Sequence, residues 1–90
     1  MNTNVIFRKF IGQNDIIALF PYNYEGSYKI SSYMHLGQHV PVDYDQIVKI
    51  SIPAMPFEYE SLKNELINIG YNLNIIGKAL KQKMYKNSKY

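Results

Sequence analysis

The sequence predicts an α+β domain: a mainly antiparallel sheet of four to five strands, one long helix packed on one face, and a basic C-terminal tail or short helix. Three observations predict it. Apolar residues alternate with period two in several short runs, the mark of half-buried strands. One segment, 56–70, instead repeats its apolar residues at spacings of three and four. Finally, residues 66–90 hold five lysines and no acid, whereas residues 1–65 hold five Lys/Arg against seven Asp/Glu. A slightly acidic body therefore leads into a cationic end. Ninety residues make one domain, expected over 1–77, with 78–90 as the tail or short helix.

The elements follow in chain order. Val5 to Phe10 is β-branched and aromatic, and reads as a strand. Gly12-Gln13-Asn14-Asp15 is a turn cluster, and Ile16 to Phe20 is an apolar run short enough for a buried strand. The two make an antiparallel hairpin, which Pro21 is expected to end. From Ser27 to Leu36 the chain alternates. Tyr28, Ile30, Ser32, Met34 and Leu36 should face the core. Lys29, Ser31, Tyr33 and His35 should face solvent, a partner or a covering layer. Gly37 to Pro41 is a break, and Asp43 is placed to cap a helical turn through Gln46. Val48, Ile50 and Ile52 alternate with Lys49 and Ser51, as in a fourth strand or an extended edge segment.

Pro56 suits the first position of the long helix, and Glu58 and Glu60 complement its dipole. Tyr59, Leu62, Leu66 and Ile69 form its apolar stripe, and Gly70 its stop. Tyr71 to Ile76 reads as a last strand. If residues 47–76 form a β-α-β unit, one strand pair is parallel.

Composition narrows the function classes. Cysteine is absent, so disulfides and thiolate metal sites are excluded. No run approaches the length of a membrane helix and the start lacks the pattern of a signal peptide, so a cytoplasmic location is expected. Nine tyrosines suit a binding face, although AT-rich coding also raises Tyr, Ile, Lys and Asn together.

Catalytic motifs do not emerge. There is no Gly-x-Ser-x-Gly elbow, phosphate loop or dinucleotide fingerprint. Ser31 and His35 lie about 13 Å apart along a strand, too far for a direct hydrogen bond. His35 and His39 have the spacing of a helical metal pair, but Gly37 breaks any helix between them. With Asp43 they make three ligands where a structural zinc takes four. No cofactor or metal is expected, and the chain is read as a non-enzyme. The partner-binding residues are expected to be Lys29, Tyr33, His35 and His39 on the sheet, with Lys78, Lys81, Lys83 and Lys86 in the tail. Exposed aromatics flanked by cations suit RNA-binding sheets, yet the RNA-recognition run is missing.

Several segments in order carry a resemblance. They are Val5–Phe10, Asp15–Pro21, Ser32–His39, Asp43-Tyr44, and Glu58-Tyr59 through Gly70–Leu73. Together they resemble small uncharacterised proteins of bacterial phages and mobile elements. The Tyr-x-His-x-Gly-Gln-His stretch is the most specific part. Met55 stands where a Thr-type cap is expected before the helix. The resemblance brings no activity, but it implies a protein acting stoichiometrically on a larger host machine, as anti-CRISPR inhibitors of defence nucleases do.

Three readings follow. The first is a binding protein that docks, as monomer or homodimer, on a larger protein or ribonucleoprotein. The second is a nucleic-acid-binding module using the basic tail and exposed aromatics. The third is a metal-dependent hydrolase built on His35, His39 and Asp43.

Overall fold

Strand β1 (Thr3–Phe10) lies at the centre of a six-stranded sheet in a computed structural model that describes residues 2–26, 28–35 and 37–77. The expectations for Ser27 and Leu36, and those for the tail lysines Lys78, Lys81, Lys83 and Lys86, lie outside the described residues. β2 (Ile16–Tyr24) pairs antiparallel with β1, Ile6 opposite Leu19. Pro21 does not end this strand. The pairing of β2 with the next strand shifts register between Phe20 and Tyr24, and such an irregularity is where a strand tolerates proline.

β3 (Ile30–Met34) follows on β2, and β4 (Gln38–His39) on β3. Then come α1 (Tyr44–Lys49), β5 (Ser51–Pro53), α2 (Pro56–Ile69) and β6 (Leu73–Ile75). The sheet order is β4-β3-β2-β1-β5, and β6 also pairs with β1. β5 lies antiparallel beside Arg8–Phe10, and β6 lies parallel beside Thr3–Val5. The β-α-β unit expected over residues 47–76 does not form, because β5 and β6 each pair with β1 and not with one another; the parallel pair is β1–β6. β5 and β6 lie end to end on one edge of β1.

Each face of the sheet has its own apolar layer. Ile6, Ile17, Leu19 and Ile30 pack with Tyr44 and Ile47 of α1. Val5, Phe7, Ala18, Phe20 and Tyr33 pack with Leu62 and Leu66 of α2. So the sheet is covered by two helices, one per face, rather than by a single helix on one side. The Ser27–Leu36 alternation therefore sorts residues between two buried layers at Ile30 and Tyr33, not between core and water.

The second helix replaces an expected strand. The Asp43 side chain accepts from the N–H groups of Asp45 (3.0 Å) and Gln46 (3.4 Å), which nucleates α1. At the other end, Arg8 reaches under the sheet. Its Nη2 donates to the carbonyls of Val48 (3.2 Å) and Ser51 (2.7 Å), and its Nε to Ser51 Oγ (2.9 Å). A cation on the last carbonyls of a helix satisfies groups that have no partner within the helix. Tertiary contacts thus keep Val48 in the helix, and only Ser51–Pro53 remain as strand.

In α2, Pro56 is the first residue, as expected. Met55 gives no side-chain cap; instead Glu58 reaches back and accepts from the Met55 N–H (2.8 Å). Gly70 ends the helix at φ +124°, a conformation open to glycine. Tyr59, Leu62 and Leu66 face the sheet, while Ile69 is exposed, because the chain turns at Gly70 before a further turn of helix can be covered.

Each outer edge of the sheet has one stretch that is blunted, at β5 on one side and at Pro41 on the other. The Ile11 N–H donates to the Ile50 carbonyl (3.0 Å), and the Ala54 N–H donates to the Phe7 carbonyl (3.0 Å). By alternation, Ser51 and Pro53 turn their peptide groups away from β1. Pro53 has no N–H to offer, and the Ser51 carbonyl is taken by Arg8. Across the sheet, Val40 and Val42 bond inward to Ser32 and Ile30, so Pro41 faces outward. A proline at an outward position on each edge disfavours pairing with another chain. The strand-paired homodimer that an exposed edge suggests is therefore opposed at both places.

Candidate binding surface

Two of the expected site residues flank the turn between β3 and β4, His35 just after β3 and His39 at the end of β4, and are held by hydrogen bonds to the helix side of the molecule. The anchor is Tyr33. It is 1% exposed, beneath α2, and its hydroxyl donates to Glu65 Oε2. The Gly37 N–H in turn donates to the Tyr33 oxygen (3.0 Å). Gly37 has φ +79°, so the tight turn between β3 and β4 falls on the residue type that adopts it without strain. The hydrogen bond to Glu65, with burial second, holds the Tyr33 hydroxyl above its ordinary value of 10.0.

The other oxygen of Glu65 fixes His35. Nδ1 of the imidazole lies 2.6 Å from Glu65 Oε1, and the side chain remains 67% exposed. With a carboxylate at Nδ1, that nitrogen carries the proton and Nε2 is turned to the surroundings. His39 is held separately. Its Nε2 lies 3.1 Å from the Tyr71 hydroxyl, and its ring meets Tyr33 edge-on at 4.6 Å between centroids. Tyr71 itself stacks on Phe20 at 5.3 Å. Both imidazoles are thus exposed yet oriented, His35 by the Glu65 carboxylate and His39 by the aromatics Tyr71 and Tyr33.

This geometry revises the expected site. Tyr33 is a buried support and not an exposed contact residue, because α2 covers its face of the sheet. Lys29 is exposed, but it sits before β3 while His35 sits after it, roughly 20 Å away along the strand. The row Lys29-Ser31-Tyr33-His35 is therefore not one surface. Asp43 caps α1, and among the described residues no group of three or more His, Asp or Glu is placed to hold a metal ion. His35, His39 and Asp43 are therefore not brought together as one ligand set. Glu65 and Tyr71 were missed in the sequence. The i, i+3 spacing of Leu62 and Glu65 put the acid beside the apolar stripe, but nothing in it named Tyr33 or His35 as partners.

Beside His35 a cleft of about 260 Å³ opens between the β1–β2 turn and α2, lined by Asp15, Met34, Glu58, Ser61 and Leu62. Glu58 is committed to Lys9 at 2.8 Å. That hydrogen bond, with the Met55 N–H second, lowers the Glu58 carboxyl below its ordinary value of 4.5. Among the described residues, no helix is long and apolar enough to cross a membrane. Compared with known proteins, the chain matches no family model, no curated protein and no solved structure.

Proposed function

We propose that this chain is a small binding protein that acts stoichiometrically on a larger protein or ribonucleoprotein, contacting it through the oriented pair His35 and His39. The observation that carries this reading is the combination of exposure and fixation. Each imidazole keeps a surface position while one nitrogen is tied to Glu65 or Tyr71. Side chains ordered before contact lose less entropy on binding, so a rigid polar rim favours affinity. The tail lysines extend the reading to a partner with an acidic or phosphate-bearing surface. A host defence nuclease of the CRISPR type is the partner class that the sequence resemblance implies.

Affinity capture from a bacterial lysate tests the reading, with nuclease-treated and untreated arms. A protein that is retained after nuclease and moderate salt, and lost with the His35→Ala/His39→Ala double variant, supports it. Recovery of nucleic acid alone, lost on nuclease or salt, replaces it with the nucleic-acid module, whose affinity must fall steeply with salt.

A further inference from the structure

The cleft beside His35 joins an apolar floor to a rim of hydrogen-bond acceptors. Ile16 and Leu62 belong to the α2-side layer, and with Met34 they make the floor. The rim comes from three segments: Asn14 and Asp15 from the β1–β2 turn, His35 from the end of β3, and Glu58 and Ser61 from α2. No lysine or arginine lines this space of about 260 Å³.

What each rim group can still bind depends on what it already holds. Glu58 is fully engaged, with one oxygen accepting from Lys9 and the other from the Met55 N–H, each at 2.8 Å. Asp15 is exposed, and among the described residues it forms no ion pair. His35 gives Nδ1 to Glu65 at 2.6 Å, so the nitrogen left for a ligand is Nε2, an acceptor in that tautomer. The Glu65 carboxylate behind the ring adds a second negative charge near the cleft. Ser61 offers a hydroxyl oxygen from the exposed side of α2.

We propose that this cleft receives an arginine side chain of a partner protein. The proposal rests on the reading of the chain as a binding protein, and it names the group that the surface beside His35 recognises. A guanidinium carries five N–H donors and no acceptor, on a stem that is apolar. The stem lies on Ile16, Met34 and Leu62. The guanidinium pairs with the Asp15 carboxylate, and its remaining donors face His35 Nε2 and the Ser61 hydroxyl. An ammonium is a compact point charge, whereas the planar fork of arginine spans acceptors that come from different segments. A phosphate or carboxylate would meet Asp15 and Glu65 with no cation lining the cleft to offset them.

Amide chemical shifts of the full chain, titrated with acetyl-Gly-Arg-Gly-amide, test this. Saturable shifts are expected at Asn14, Asp15, His35 and Ser61. The same peptide with citrulline, which keeps the shape and loses the charge, should bind at least about tenfold more weakly. Asp15→Asn should weaken the arginine peptide by a similar factor while thermal unfolding stays close to wild type. Ser61→Lys, which sets a cation on the rim at an exposed helix position, should do the same. Equal affinity for the two peptides overturns the proposal, and so does the absence of saturable shifts at these residues. Arginine binding unchanged in both folded variants overturns it as well. Lysate capture separates this proposal from the reading beneath it. A protein lost with the His35→Ala/His39→Ala variant but held fully by Asp15→Asn leaves the binding reading standing and overturns the arginine cleft. Capture of no protein, with the peptide titration as expected, contradicts the binding reading and supports the cleft.

Discussion

At the scale of single residues, Glu65 binds the two halves of the candidate surface together, one oxygen on buried Tyr33 and the other on exposed His35. Tyr33→Phe removes a donor from Glu65 and the acceptor of the Gly37 N–H. It should cost about 1–3 kcal/mol in unfolding free energy. It should also abolish the last phase of the alkaline tyrosine titration, because the Tyr33 hydroxyl ionises above its ordinary 10.0. The folded state favours the protonated form, so this contribution is full below pH 10.0 and is lost as pH rises through the raised folded value. Glu58 has the opposite sign. Its carboxyl is lowered from 4.5 by Lys9, so its contribution is present above that value and is lost as pH falls through the lower folded one. Glu58→Gln should flatten the acid side of the stability profile in that window, read from melting temperature against pH. The acid could be placed near the helix start from sequence, but its reach back to Met55 and across to Lys9 could not. Both depend on how the helix lands on β1.

At the scale of elements, the local signals that resolved were those that tertiary contact reinforced. Pro56 and Gly70 bound the main helix because each acts within a turn of its own position. The alternation of Val48, Ile50 and Ile52 suggested a strand, and the Asp43 cap and the Arg8 contacts with Val48 and Ser51 overrode it. A lone arginine on β1 gave no sign that it would serve a helix forty residues away. Asp43→Ala should therefore cost about 1 kcal/mol, measured by denaturant unfolding, through loss of the α1 cap. The edge prolines were legible only after the fold was known. Pro41 and Pro53 are breaks in the sequence, and outward hydrogen-bond positions in the sheet.

At the scale of the whole molecule, the domain is a sheet between two unequal helices. The α+β class and the antiparallel strands were readable from period and turns alone. The second covering layer was not, because Tyr33 alternates like a solvent-facing residue until α2 is laid over it. For the same reason the expected binding row dissolved, leaving His35 as its exposed member near α2, with His39 of β4 beside it. Ile11 and Ile52 stay exposed where α2 starts at Pro56, at sheet that a longer helix would cover. The most direct measurement is quantitative capture of protein from nuclease-treated lysate by wild type and by the folded His35→Ala/His39→Ala variant. A protein retained by wild type at moderate salt and lost by the variant is the expected result. Equal capture by both, or recovery of nucleic acid alone, would contradict it.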